Sequence, residues 1–448
     1  MNRKFAPLFV LLLMASLLLA ACPAAAPAEP AAAPAGGEAA APAAAEAPTA
    51  EPVTVRFVGA TTPRDHDTQS QAYCEEQTGV KIELINGPES ATDRLAQYLQ
   101  FFGAQSPDID LVQIDVIWPG ILAEHLVDMN AYMTADEKSA YFQRIVDNNT
   151  VDGALVGIPW YTDAGLLYYR TDLLEKYGYT APPTTWAELD EMATAIQEGE
   201  RAANADFWGY TWQGNVYEGL TCDALEWQVS WGGGEIVEAD GTISINNPQA
   251  AAAFDMAAGW VGRISPPGVV SYQEEDARGV WQGGNAAFMR NWPYAYALGN
   301  AEDSVIKDKF AVVPLPKGEG PDARNADTLG GWQLAVSKYS AHQTEAAAVA
   351  KCLAGQESQK IRAVVGSLLP TIGDLYSDAD VLAANPFFGQ LFDVFNGGAV
   401  ARPSTVTSDK YNEVSTIYFT EVNKVLTGAQ TGAEAVAEIE AQLQDVLQ

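Results

Sequence analysis

The sequence predicts an α/β fold in two domains. Strand-like and helix-like segments alternate from residue 53 onward, the pattern of sheets covered by helices. At 448 residues the chain is too long for one average core. Its 48% hydrophobic and 10% aromatic content is that of a globular protein, so two cores can be filled.

Residues 53–59 alternate and are rich in β-branched side chains, which gives a first strand, ended by a turn at Thr61, Thr62 and Pro63. A helix follows over 69–78, a strand over 80–85 and a helix over 92–104. Residues 109–114 are nearly continuous aliphatic and read as a buried strand of a mostly parallel sheet. In such sheets ligands gather beyond the carboxyl ends of the strands. Asp115, Val116, Ile117 and Trp118 occupy such an end, before the breaker pair Pro119-Gly120.

Residues 153–159 and 165–169 read as short strands, with the polar-aromatic stretch Trp160-Tyr161-Thr162-Asp163 connecting them. A helix begins near Thr185-Trp186, residues 207–217 are dense in Trp and Tyr, and 220–231 reads as a buried helix ended by Gly232-Gly233-Gly234. A strand over 286–290 leads into Asn291-Trp292-Pro293-Tyr294. Another over 310–314 leads through a loop to Gly330-Gly331-Trp332-Gln333. Residues 341–446 are mainly helical, with a Gly/Pro break at 366–373.

The first 22 residues have a different character. Arg3 and Lys4 precede an apolar run over 5–19, and Leu19-Ala20-Ala21-Cys22 resembles the bacterial lipobox, in which Cys22 is lipidated and becomes the first residue. About 15 apolar residues fall short of the ~20 that span a bilayer. Residues 23–52 are almost wholly Ala, Pro, Gly and Glu, with seven prolines. They cannot form a core and read as a disordered tether that reaches roughly 90 Å if extended as polyproline II. The sequence therefore places a tethered domain outside the cytoplasmic membrane, held to it through a lipid anchor alone.

The formal charge is 25 − 58 = −33. Such a field repels phosphate backbones and disfavours nucleic acid as a partner. With Cys22 lipidated, Cys74, Cys222 and Cys352 remain, enough for one bridge whose partners the sequence leaves open. Three histidines and no ligand spacing argue against a metal centre, and Asp374, Asp378 and Asp380 read as a solvated turn. No phosphate-binding or dinucleotide fingerprint is present, so no cofactor is expected.

Trp160, Tyr161, Trp212, Trp231, Trp292, Tyr294 and Trp332 all fall at expected strand ends or loops, several beside Asp, Arg, Asn or Gly. This pattern suits sugars. A pyranose stacks its C–H face on an aromatic ring and offers its hydroxyls to carboxylates and guanidiniums.

These stretches resemble the extracellular solute-binding proteins of ABC sugar importers, most of all the trehalose/maltose-binding branch. The resemblance runs from residue 53 to the C-terminus. It rests on Tyr98-Leu99-Gln100 with Ile114-Asp115-Val116-Ile117-Trp118-Pro119-Gly120, and on Gly157-Ile158-Pro159-Trp160-Tyr161-Thr162-Asp163 with Leu167-Tyr168-Tyr169-Arg170. Tyr217-Glu218-Gly219-Leu220-Thr221-Cys222, Asn291-Trp292-Pro293 and Leu329-Gly330-Gly331-Trp332 follow in the same order.

The resemblance implies a two-lobed periplasmic-binding-protein-like fold (type II), with sugar held in the cleft between lobes that close on it. The first lobe would hold 53–162 and 332–373, the second 163–331 and 374–448. The family's cleft residues carry over to Asp115, Tyr161, Asp163, Trp292, Gly331 and Trp332, and with them Arg94 and Arg402; Tyr294 joins the expected site through the aromatic pattern. Trp118, Trp160, Trp212 and Trp231 read as core or rim. The loop at 61–64 departs from the acidic or amide-bearing loop of the family. The implied role is capture of a glucose-containing disaccharide such as trehalose or maltose by a monomer that delivers it to a membrane permease. The rival is an anchored glycoside hydrolase with Asp115 and Asp163 as acid and nucleophile. A repetitive all-β adhesin is disfavoured, because neither repeats nor all-β patterning occur.

Overall fold

The computed structural model describes residues 52–59, 62–393 and 399–448. The leader, Cys22 and the tether through residue 51 lie outside the described residues.

The strands are β1 (Thr54–Val58), β2 (Lys81–Ile85), β3 (Leu111–Asp115), β4 (Thr150–Val151), β5 (Ala154–Leu155), β6 (Ile158–Ala164), β7 (Leu166–Arg170), β8 (Trp208–Thr211), β9 (Ala286–Asn291), β10 (Phe310–Val313), β11 (Asp327–Val336), β12 (Leu369–Pro370) and β13 (Ala399–Val400). Two sheets organise two lobes. The first has the order β12-β6-β11-β3-β1-β2 with β13 on β11, and the second has the order β10-β7-β9-β8. β4 and β5 form a separate hairpin.

The expected mostly parallel sheet is in fact mixed. β1 pairs in parallel with β2 and β3, as the alternating strands and helices require, but β11 runs antiparallel to both β3 and β6. Two further departures follow from this. Trp160, Tyr161, Thr162 and Asp163 are not a connection but the middle of β6, and Gly330 to Gln333 belong to the ten-residue β11. Tyr161, Asp163, Gly330, Gly331 and Trp332 of these central strands border a cleft, which accounts for the polar and glycine residues there.

The chain passes from the first sheet to the second at Gly165, between β6 and β7. A Cβ there would meet Glu226 Oε1 at 1.9 Å and Arg290 Nη2 at 2.5 Å, so only glycine lets the crossing run over that buried pair. By strand pairing, residues 163–164 and 327–331 remain on the first sheet.

Local chemistry sets the helices. Ser90 caps the Ala91–Gly103 helix by accepting from Asp93 N, and Thr185 with Glu188 forms a capping box on the Trp186–Glu200 helix. The Asp65–Thr78 helix starts four residues before its expected start. Asp67 takes the Arg64 backbone N–H at 2.9 Å, and two acidic residues in the first turn favour the positive end of the dipole. Its polar first turn carries no apolar period, so the pattern alone missed it. All thirteen residues of the Glu218–Ser230 helix are buried, packed on the Pro248–Trp260 and Tyr411–Leu426 helices.

Cys74 and Cys352 form a disulfide that ties the Asp65–Thr78 helix to the Gln343–Leu353 helix, leaving Cys222 free and buried. Lys360 pairs with both Asp378, which caps a helix, and Asp380, so the acidic cluster is a cap and ion-pair cluster. No helix among the described residues is long and apolar enough to cross a membrane.

Candidate ligand-binding site

The centre of the first sheet builds the floor of a cleft. In the register of β3, β11 and β6, Asp115 lies opposite Trp332, and Trp332 opposite Tyr161. One residue back along β11, Gly331 pairs with Thr162, and Gly330 pairs with Asp163. Gly331 has φ = 129°, a left-handed conformation that disfavours side chains, and a Cβ would approach Tyr161 O to 2.7 Å. Its carbonyl accepts from Val116 N at 3.0 Å, which holds the chain just past Asp115 against β11.

Across the cleft, β9 ends at Asn291 and delivers Trp292 and Tyr294. Trp292 lies against Gly330, where an ideal Cβ would be 3.1 Å from the ring, and its indole N–H reaches Glu274 Oε1 at 3.3 Å. Beneath it the Arg290 guanidinium sits 4.0 Å from the indole centroid. Arg290 is itself fully buried between Asp223 (2.9 Å) and Glu226 (2.9 Å).

All nine residues named from the sequence border this one cleft: Asp115, Tyr161, Asp163, Trp292, Gly331, Trp332, Arg94, Arg402 and Tyr294. The cleft encloses about 200 Å³, room for roughly a dozen or more waters at ~10–15 Å³ each, so it fits an organic molecule better than a bare ion.

The nine differ in how free they are. Arg402 is committed within the protein. Its Nη2 donates to Asp115 Oδ1 at 3.0 Å and its Nη1 to Glu218 Oε1 at 2.8 Å. Glu218 also accepts from Tyr411 and Ser415, and burial pushes its carboxyl up against the pull of Arg402. Asp115 further accepts from Ile117 N at 3.3 Å. Tyr294 has Arg64 over its ring at 4.6 Å and donates to Glu275 Oε1 at 2.7 Å. Tyr161 accepts from Gln113 at 3.1 Å.

Asp163 and Arg94 keep unused capacity, as does the Nε of Arg402, which is buried without a partner. Asp163 Oδ1 is buried with no protein hydrogen-bond partner, and burial, with the nearby Asp115 charge, pushes this carboxyl well above the usual carboxylate range. Arg94 spends two nitrogens on Pro88 O and Glu89 O, while its buried Nη1 has no protein partner. The Arg94 guanidinium lies 4.7 Å from the Trp332 ring centroid, with Trp118 packed edge-on from below at 5.5 Å.

Trp118, Trp160 and Trp212 are buried, as core residues, and Trp231 is partly buried; only Trp160 of these also borders the cleft. The sequence missed Gln113, Glu274, Glu275 and Arg362 as cleft residues. Arg362 is buried, stacks 3.9 Å from the Trp160 ring and pairs with Asp67 at 2.6 Å. It comes from a helix more than 200 residues downstream, with no local motif to mark it. Glu274 and Glu275 stand in the first turn of a helix, where acidic residues are ordinary.

Comparison with known proteins agrees with this geometry. A family model for bacterial extracellular solute-binding proteins matches residues 60–360. A probable ABC transporter-binding protein of Deinococcus radiodurans is 52% identical over 368 residues, covering 82% of this chain and 87% of its own. Maltose-bound MalE3 of T. maritima aligns with a TM-score of 0.83 at 37% identity, over 88% of this chain and 99% of that one. A Thermotoga lettingae solute-binding protein with bound alpha-D-tagatose shares the fold at 23% identity, with a TM-score of 0.78 over 88% and 100% of the two chains. These are binding proteins and not enzymes. The chain belongs to the bacterial extracellular solute-binding proteins.

Proposed function

We propose that this protein captures a sugar, a glucose-containing disaccharide such as maltose or trehalose, and delivers it to the permease of an ABC importer. One observation carries the reading. Two aromatic rings from opposite lobes, Trp332 and Trp292, border the same cleft as a buried carboxylate oxygen of Asp163 and a buried Nη1 of Arg94 that lack protein partners. A pyranose supplies what both need, a C–H face for the rings and paired hydroxyls for the acceptor and the donor. Asp115 and Arg402 act as the frame of this site, with their remaining lone pairs and protons turned to the sugar. The bound maltose of the T. maritima relative supports the choice of sugar.

In this reading the lobes are 53–162 with 332–373 and 163–331 with 374–448, save that 163–164 and 327–331 stay on the first sheet by strand pairing, and the two close on ligand as a monomer. Cleavage before Cys22 and its lipidation hold the protein at the outer face of the membrane, the tether giving it reach. Two or more acyl chains on that cysteine supply stable anchoring.

Isothermal calorimetry against trehalose, maltose, sucrose and longer glucosides tests the proposal. A dissociation constant near micromolar, about −8 kcal/mol, is expected for at least one. No heat and no thermal shift with any of them at millimolar concentration refutes the sugar reading.

A further inference from the structure

Thr62, Pro63 and Arg64 border the cleft, in a loop that departs from the family resemblance, and Arg64 contacts the opposite lobe. Arg64 begins the Asp65–Thr78 helix, which packs on the Gln343–Leu353 and Gln356–Gly366 helices on the side of the first sheet. Glu275 belongs to the Glu274–Gln282 helix, which packs on β9 of the second sheet. Arg64 Nη2 reaches Glu275 Oε1 at 3.0 Å across the cleft, with the guanidinium over the Tyr294 ring at 4.6 Å.

Each half of this contact is set by its own lobe. Tyr294 donates to Glu275 Oε1 at 2.7 Å, and Arg278 pairs with Glu275 Oε2. On the other side, the Arg64 N–H is fixed by Asp67 Oδ2 at 2.9 Å, and Asp67 Oδ1 in turn takes Arg362. The receptor carboxylate and the backbone that carries the arm are therefore held within their own lobes, which lowers the entropy lost on contact.

We propose that Arg64 and Glu275 form a latch across the mouth of the cleft that sets the closed population and so the residence time of the ligand. The inference rests on the sugar-capture reading only in taking the cleft as the ligand's place. Exposure suits this role. The two side chains are 35% and 31% exposed, so the pair stays wet and breaks reversibly, whereas the Arg402–Asp115 pair at the cleft floor is almost fully buried. A latch must be weak enough to open when the permease takes the sugar. Glu275 also neighbours Glu274, which holds the indole of Trp292 and the hydroxyl of Tyr217 (2.8 Å), so the latch and one stacking ring share a single helical turn.

The test uses Arg64→Met, Glu275→Gln, the double variant and the swap Arg64→Glu with Glu275→Arg. Spin labels on Glu83→Cys and Asp303→Cys report the interlobe distance in ligand-free protein, and stopped-flow fluorescence gives the maltose dissociation rate. Each single variant should lower the closed-to-open ratio and raise the dissociation rate about 2- to 10-fold, the double should add nothing further, and the swap should recover most of the loss. Unchanged distances and rates in Arg64→Met, or additive effects in the double, overturn the latch. If wild-type protein binds none of trehalose, maltose, sucrose or the longer glucosides, the sugar reading falls, and the ligand-free distances alone decide the latch.

Discussion

Trp332 and Asp115 are register partners across the antiparallel β11–β3 pair, which puts a half-buried indole beside a carboxylate locked by Arg402. Ring and charge therefore arrive at the cleft on adjacent strands and cannot shift independently. Tyr161 completes the row on the other side of β11.

Trp332→Ala and Trp292→Ala should each weaken sugar binding by about 1 to 3 kcal/mol, the range for a packed aromatic anchor. Calorimetry reads the loss, and circular dichroism should show the fold intact, since neither ring is fully buried. A variant that unfolds would instead mark its ring as core.

Asp163→Asn should separate stability from function. The Asp163 carboxyl is raised in the folded state by burial and by Asp115, so its contribution is favourable while protonated and is lost as pH rises through the folded value. The asparagine variant never ionises. Urea unfolding should show the two proteins alike at about pH 3.5, near the ordinary carboxylate value, and the variant more stable at neutral pH. Its sugar affinity should nevertheless fall. A stability gap that closes with rising pH contradicts the assignment.

Arg402→Met should be among the most damaging single changes, because it strands Asp115 and Glu218 as buried carboxylates. Removing one partner of such a network costs about 3 to 5 kcal/mol. Asp115→Asn should cost less stability, as Arg402 keeps Glu218, but should weaken the sugar and reduce the compaction that small-angle scattering reads on ligand addition.

Cys352→Ser should destabilise the protein by about 5 to 6 kcal/mol in a chain-entropy account, since the bridge closes 278 residues of chain. Of Cys74, Cys222 and Cys352, none should react with a thiol reagent in native protein. One should react after unfolding without reductant, because Cys222 is buried and its thiol is pushed up by that burial.

Cys22→Ala should release the protein from membranes without changing sugar affinity, because the tether and the cleft are separate parts of the chain. Fractionation checks it. Retention of the variant after a high-salt wash would show that the leader remains as an uncleaved anchor.

The sequence by itself determined the alternation of strands and helices in 53–115 and the buried 220–231 helix, because periodicity and caps are local signals; the nine residues that line one cleft were named from aromatic placement and from the motifs of the family resemblance. It misassigned Trp160 to Asp163 as a connection and gave Gly330 to Gln333 no strand. Polar and glycine residues read as loop unless the partner strands are known, and β6 and β11 are strands only through each other and β3. Pairing Cys74 with Cys352 took contact between helices 278 residues apart. Tertiary structure alone decided which charged groups are spent and which are free. Asp115 and Asp163 look alike in sequence, yet one is locked by Arg402 and the other keeps a buried carboxylate oxygen without a partner, since hydrogen-bond saturation depends on neighbours brought from distant segments.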